Sequence, residues 1–248
     1  MRQQLPRRIL TVPFVAQSGD DANLSGAARR AQESLESTLQ KSGRYRLLPD
    51  GVTLPPDWHP GIVYDANRLI LQKAVGYRRK DADYVLAGML QPLERRDGGR
   101  ALRTRLDVFL YEIITVHLMD AFRAVGEARV QGEPPIDAII SETVGRSVQK
   151  AARRLETLRL ARARIQELDN KGSVDYWATM DCGDCRKAGF AKGLEAIVKR
   201  GPDVMGRVHI LRVEGDRLNV TPLDGTRVGR DFELLACLPS GTLTLPEL

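Results

Sequence analysis

The sequence predicts an α/β (α+β) domain with a mixed sheet, followed by a small β-barrel domain. Short apolar runs alternate with helical patterns over most of the chain, and two longer segments alternate apolar with polar residues. The end of the chain is rich in glycine and in short strand patterns. Alternating strands and helices are typical of α/β domains, and closely spaced short strands with glycine turns are typical of small barrels.

The first half of the α/β domain is predicted to run strand, helix, strand, helix, strand. Brief apolar or β-branched runs predict three strands, at 9–15, 44–48 and 82–90. Apolar residues at helical spacing predict two helices between them, from Leu24 to Leu39 and from Ile62 to Leu71. Ser25 near the start of the first helix and Gly43 just past its end are helix start and stop signals.

The second half is predicted to be a strand hairpin followed by a long helix. Residues 102–111 alternate apolar with polar residues, and 115–130 continues after a tight turn. They predict an antiparallel hairpin with one wet face. A helical stripe then begins after Pro134 and Pro135 and extends to Leu168. The predicted order is therefore β-α-β-α-β-β-β-α.

The remaining piece contains a weak internal repeat. Gly189 and Gly193 in one copy match Gly225 and Gly229 in the other, both offsets being 36 residues. Each copy places a turn before a strand, which predicts a small SH3-like β-barrel. The predicted organisation is a flexible tail over 1–8, the α/β domain over 9–168, the barrel over 173–240 and a second tail over 241–248.

Two parts of the chain resemble one family. ILTVPF at 9–14, LESTLQKSGRYRLLP at 35–49 and DADYVLAGML at 81–90 fit the predicted strand order. On these segments residues 9–158 resemble the middle domain of the flagellar assembly protein FlgT, which is grouped with the amino-terminal domain of TolB, the curli protein CsgG and LpoB. Residues 206–236 resemble the small carboxy-terminal barrel of FlgT, in which a hairpin and a Gly-x-x-x-Gly turn precede a closing strand.

The resemblance implies a non-enzymatic periplasmic assembly protein, a component of an H-ring-type ring around the flagellar basal body. It implies self-association into a ring, contacts with flagellar ring or other envelope proteins, and membrane association through those partners. It offers no catalytic residue, cofactor or small-molecule substrate. FlgT also has a leader peptide that this sequence does not show, so a cytoplasmic location stays open. The alternatives are an LpoB-like activator of a peptidoglycan synthase, a CsgG-like secretion-associated protein and a nucleic-acid-binding module.

Cys182 and Cys185, in DCGDC, have the one spacing that suggests chemistry. Two thiols three residues apart can form a disulfide or half of a zinc site. Zinc would need further ligands such as Cys237 and His209 to converge, so no metal is predicted. A thioredoxin-type motif begins a helix, whereas this pair is expected to precede a glycine-rich loop. The prediction is a local disulfide in an oxidising compartment, or two reduced thiols in the cytosol.

The charge balance of 38 Lys+Arg against 32 Asp+Glu gives a modest excess of +6. Within the predicted long helix, Arg146, Lys150, Arg153 and Arg154 form a candidate basic interaction face. No aromatic residue for base stacking falls in this helix, so the sequence does not predict nucleic-acid binding. The glycine-rich stretches precede strands rather than helices, so no nucleotide cofactor is predicted either.

Overall fold

A computed structural model of the chain describes residues 7–17, 22–48, 52–55, 58–60, 65–76, 81–97, 101–129, 135–158, 160–170, 174–239, 245 and 247–248. By its internal contacts the chain divides into two compact units, residues 1–158 with 242–248, and residues 159–241. The first unit holds a mixed sheet, and the second holds a closed barrel.

The first unit is an α+β domain. Its strands are β1 (Arg7–Thr11), β2 (Val15–Ala16), β3 (Tyr45–Leu48), β4 (Tyr84–Leu90), β5 (Glu94–Arg96), β6 (Ala101–Glu112) and β7 (Leu118–Arg129). Its helices are α1 (Ala22–Lys41), α2 (Asp65–Val75) and α3 (Ile136–Thr157). The fold class with a mixed sheet is confirmed, but the order differs from the predicted one by the short strands β2 and β5.

The sheet has β3 at one edge and β7 at the other. β1 pairs in parallel with β3 and with β4, and β4 pairs antiparallel with β6. β7 runs antiparallel along nearly the whole of β6. Because β4 and β5 occupy one side of β6, β7 must lie on its other side. The predicted antiparallel hairpin is therefore the end of the sheet.

Both faces of the sheet are covered. α1 and α3 contact each other and the sheet, α1 against β3 and β4 and α3 against β6 and β7. The chain crosses the sheet in one direction from β1 through α1 to β3, and in the other direction from β3 through α2 to β4. Because crossover connections between parallel strands are right-handed, α2 is expected on the face of the sheet opposite to α1. Phe109 and Tyr111 are buried, although their alternation predicted a wet face. Tyr45 further joins β3 to α3, because its hydroxyl donates to the carbonyl oxygen of Leu155.

The predicted first strand, 9–15, is divided in two. β1 ends at Thr11, and the chain pairs with β4 again at β2. Pro13 lies exposed between them and has no N–H to donate to a sheet. Arg7 and Arg8 already belong to β1, so the tail predicted for 1–8 is wrong at its end; residues 1–6 lie outside the described part of the chain.

The second unit is a closed antiparallel barrel, which confirms the small β-barrel domain. Its elements are β8 (Arg162–Asp169), β9 (Tyr176–Met180), α4 (Cys185–Ala188), β10 (Glu195–Arg200), β11 (Asp203–Glu214), β12 (Arg217–Leu223) and β13 (Glu233–Cys237). The strands close in the order β10-β11-β12-β9-β8-β13. The two strands that follow the repeated glycine turns, β10 and β13, are direct neighbours, with Ile197 opposite Leu235.

The predicted boundary at 168 is wrong. α3 ends at Thr157, and β8 belongs to the barrel, not to the α/β domain. Ala161, Ala163 and Ile165 are buried, whereas the arginines between them are exposed. This alternation is that of a strand. The residues Leu158, Ala161, Ile165 and Leu168 also fit helical spacing, and this ambiguity extended the predicted helix.

Candidate interaction site at the edge strand β7

The outer side of β7 is partly covered by the end of the chain. Residues 242–248 group with the first unit, although the barrel precedes them in sequence. Glu247 forms a parallel β-bridge with Arg123, and the Leu248 N–H donates to the Arg123 carbonyl oxygen at 2.9 Å. The tail predicted for 241–248 therefore ends, among the described residues, as a short added strand. Uncovered edge strands are the usual place at which one sheet pairs with another chain.

A buried ion pair fixes β7 to its neighbour. The Arg123 guanidinium donates to both Asp107 carboxylate oxygens, from Nε at 2.6 Å and from Nη2 at 2.9 Å. Gln91 donates a third hydrogen bond to Asp107 at 2.8 Å. The Asp107 side chain is only 1% exposed. The hydrogen bond that Arg123 donates to Asp107, more than any other cause, raises the pKa of Arg123 above its ordinary value.

The Glu247 carboxylate lies between two arginines of β6. Its oxygens are 2.8 Å from Arg103 Nη2 and 3.7 Å from Arg105 Nε. Arg105 also pairs with Glu94 of β5 at 2.9 Å. The same surface thus offers two guanidinium groups to one acidic side chain of the added strand. Charge complementarity therefore reinforces the backbone pairing.

Three of the four residues of the predicted basic face lie beside this edge. Arg146 donates to the carbonyl oxygen of Glu127 in β7 at 2.6 Å and pairs with Glu142. Lys150 Nζ donates to the Leu248 carbonyl oxygen at 3.0 Å. Arg153 is exposed on the same side of α3.

Arg154 does not join the other three. Its guanidinium lies 3.2 Å from the Asp120 carboxylate, which is nearly buried in β7. The four-residue face is therefore divided between the edge and the sheet. Arg154 compensates a carboxylate under α3, while Arg146, Lys150 and Arg153 lie beside the edge, where Lys150 already contacts the tail.

The stability of the folded chain is expected to depend on pH through the carboxyl group of Asp120. Burial raises its pKa, and the ion pair with Arg154 lowers it by less. An aspartate in the unfolded chain loses its carboxyl proton at about pH 4. In the folded chain the Asp120 carboxyl keeps its proton to a higher pH, because its pKa is raised. Stability from this group is full below the unfolded pKa and is lost as pH rises through the folded pKa.

Asp120→Asn is therefore expected to gain stability relative to the wild type as the pH rises above about 4. Urea unfolding of both proteins across the acid range measures this difference. A difference that stays flat, or that shrinks with rising pH, would contradict the raised pKa.

A shallow cavity of about 530 Å³, in which cations outnumber anions, lies between the edge, the tail and α3. It is lined by Arg103, Val125, Glu127, Arg146, Gln149, Lys150, Arg153, Glu247 and Leu248. Four lining side chains are cationic and two are acidic, so an extended segment that carries a carboxylate is the complementary ligand.

The sequence did not predict that Arg103, Arg123 and Glu247 belong to this site. The pairing of Glu247 with Arg123 joins distant parts of the chain and leaves no local pattern in the sequence.

Cys182 lies in the turn after β9 and Cys185 begins α4, with their Cα atoms 5.6 Å apart, a separation that a disulfide can bridge. Contrary to the expectation of a glycine-rich loop, the motif leads into the one-turn helix α4. Asp184 caps α4 by accepting from the Lys187 N–H at 3.1 Å, and this backbone hydrogen bond lowers the pKa of Asp184. Gly189 ends the helix in the left-handed region at φ 104°.

Cys237 and His209 do not complete a metal site. Both pair with Glu195, Cys237 from β13 and His209 from β11, so β10 separates them. Residues two strands apart are about 10 Å from each other. In the part of the chain that the structure describes, no group of three or more His, Cys, Asp or Glu side chains is arranged to hold a metal ion.

The disulfide is a prediction that thiol counting tests. If it forms, the denatured, unreduced protein exposes one free thiol of its three cysteines, Cys237. A loop this short contributes about 2 kcal/mol by the loop-entropy model. The double variant Cys182→Ser/Cys185→Ser is expected to lose about that much stability under oxidising conditions and none under reducing ones. Three free thiols in the unreduced protein would refute the bond.

A second surface feature lies on the outside of the barrel. Trp177 is partly exposed, and the Arg217 guanidinium lies 5.0 Å from its ring centroid. Asp169 and Asn219 flank Trp177 on the neighbouring strands. A cavity of about 400 Å³ here is lined by Glu167, Leu168, Asp169, Trp177, Thr179, Asp216, Arg217 and Arg230. An aromatic ring beside carboxylates is suited to a cationic or polar ligand.

No protein-family model and no curated protein sequence matches this chain. Among solved structures, it is similar to a hypothetical protein from Chlamydia trachomatis at 10% identity and a TM-score of 0.47, covering 61% of this chain and 96% of that one. A PelC dodecamer from Paraburkholderia phytofirmans is 12% identical with a TM-score of 0.35, covering 60% and 91%. A lipoprotein from Neisseria meningitidis is 14% identical with a TM-score of 0.37, covering 62% and 100%. These likenesses are too distant to indicate a function.

No helix among the described residues has both the length and the apolar character needed to cross a membrane.

Proposed function

We propose that this chain is a non-catalytic assembly protein that self-associates through the edge of its mixed sheet. The observation that carries the proposal is the outer side of β7, where the Arg123 carbonyl oxygen accepts from an added strand. A sheet edge that already accepts one short strand offers the same hydrogen-bonding groups to another chain. The arginines beside it supply charge selectivity.

The bacterial envelope is the proposed location, and a ring around the flagellar basal body is the proposed assembly. The resemblance of residues 9–158 and 206–236 to the middle and carboxy-terminal domains of FlgT supports both. A disulfide between Cys182 and Cys185 would also fit an oxidising compartment such as the periplasm.

Sedimentation velocity over a wide concentration range tests the self-association. Species larger than the 27.6 kDa chain are expected to grow with concentration. A chain that stays monomeric up to its solubility limit would contradict the proposal.

Electron cryotomography of a deletion strain tests the flagellar role, since unchanged motors and normal swimming would exclude it.

An envelope adaptor that binds a partner enzyme is the second candidate, and the groove around Trp177 favours it. A partly exposed indole flanked by charged side chains is a common anchor point for a protein partner. Trp177→Ala should then abolish capture of a peptidoglycan synthase in a pull-down while leaving self-association intact. Equal capture by the variant and the wild type would remove this candidate.

A further inference from the structure

We propose that the β7 edge binds Glu247 and Leu248 of a second copy of this chain, in the place where the chain's own Glu247 and Leu248 lie. This exchange rests on the proposed self-association and names the surface and the segment that would carry it. The contacts of these two residues with β6, β7 and α3 supply the reasons.

The backbone contact does not depend on which chain supplies the added strand. Glu247 bridges Arg123 in parallel, and the Leu248 N–H reaches the Arg123 carbonyl oxygen at 2.9 Å. Main-chain hydrogen bonds of this kind give affinity in strand addition, and side chains give specificity. An identical segment from another copy makes the same bonds.

The side chains around the bridge select an acidic residue at this position. Arg103 lies 2.8 Å from the Glu247 carboxylate and is itself mostly buried, with a side chain 18% exposed. On the other side of the segment, Lys150 holds the Leu248 carbonyl oxygen at 3.0 Å. The segment is thus held on both sides by cations from β6 and α3. A partner needs a glutamate in an extended segment, and each copy of this chain has one.

The covalent connection allows exchange. Nine residues, 238–246, separate the end of β13 from Glu247. A chain of that length spans up to about 30 Å when extended. Among the described residues of this segment, Glu247 and Leu248 make the hydrogen bonds and ion pairs to the edge, and release breaks these contacts. Swapping such a segment between identical chains is a low-cost route to association.

The geometry of the exchange is head to tail, and the chain's own segment competes with the segment of the second copy. A segment of one copy on the edge of the next is a head-to-tail contact, which gives rings if the rotation closes and filaments if it does not. The chain's own segment competes at an effective concentration on the order of millimolar. Exchange is therefore favoured where many copies are gathered together, and a dilute chain pairs with itself.

Two complementary full-length variants test the exchange. Arg103→Glu spoils the edge but keeps the native segment, whereas Glu247→Arg spoils the segment but keeps the native edge. Neither variant has complementary charges of its own, so a mixture is expected to form one-to-one complexes, either dimers or larger alternating species. Sedimentation velocity should show them forming at least about tenfold more tightly than either variant associates alone. The control Arg29→Glu changes an exposed charge on α1 and should behave as the wild type.

The double variant Arg103→Glu/Glu247→Arg restores opposite charges and is expected to behave as the wild type. Thermal unfolding of each variant checks that it is folded. If the mixture forms no mixed complex while the wild type self-associates, the exchange is wrong and another surface carries the proposed assembly. If neither the mixture nor the wild type associates, the exchange and the proposed self-association both fail.

Discussion

Replacing Arg123 with methionine is expected to lower the free energy of unfolding of the first unit by about 3–5 kcal/mol. The guanidinium donates two hydrogen bonds to Asp107, whose side chain is 1% exposed. Methionine keeps much of the apolar stem and removes the charge. Gln91 then remains as a neutral donor to the Asp107 side chain. A buried carboxylate without its cation is one of the costliest single changes in a protein.

The expected loss of stability in Arg123→Met comes from the burial of the ion pair. Matched variants distinguish this from the loss of an arginine charge alone. Arg29→Met removes an exposed arginine that lies 3.7 Å from Glu33, and a pair of this kind contributes about 0.5 kcal/mol or less. The double variant Asp107→Leu/Arg123→Met removes both buried charges and is expected to recover most of the loss. Chemical unfolding of the four proteins gives the comparison. Equal losses for Arg123→Met and Arg29→Met would mean that Asp107 is not held in a buried pair.

Sequence periodicity could predict most of the fold because burial in this chain follows it closely. The buried stripe of α3, which includes Val144, Val148, Ala151 and Leu155, has helical spacing, and the apolar runs of β1 and β4 lie inside the sheet. Periodicity failed where two spacings fit the same residues, as at Ala161 and Ile165. It also failed at α4, which is one turn long and too short to show a period, although Asp184 and Gly189 carry its start and stop signals.

The candidate site was less predictable because it depends on contacts between distant parts of the chain. The charges of Arg146, Lys150 and Arg153 are visible in the sequence, but the pairing of Arg154 with Asp120 depends on how α3 is rotated on the sheet. The bridge between Arg123 and Glu247 joins residues far apart in sequence, and no local pattern marks it. The alternation of apolar and polar residues predicted that Arg103 and Asp107 lie on one face of a strand. It did not show that this face is largely buried in the folded chain.

Gly126→Ala is expected to be nearly as destabilising, because α3 crosses β7 directly over this glycine. A Cβ atom at Gly126 would lie 1.8 Å from the carbonyl oxygen of Thr143 and 2.9 Å from the backbone nitrogen of Ser147. Both contacts are with helix backbone, which cannot move aside as a flexible side chain does. The whole helix must therefore shift away from the sheet. Overpacking of this kind costs about 3 kcal/mol or somewhat more.

Gly145→Ala, on α3 itself, is the matched control. Its Cβ atom would meet nothing within 4 Å, and alanine in a helix interior is favoured over glycine by about 1 kcal/mol. The two glycine substitutions should therefore change stability in opposite directions, although each adds one methyl group. Differential scanning calorimetry is the measurement, because the barrel is a separate unit whose own transition should stay unchanged. If Gly126→Ala leaves every transition in place, α3 does not contact β7 as closely as the structure has it.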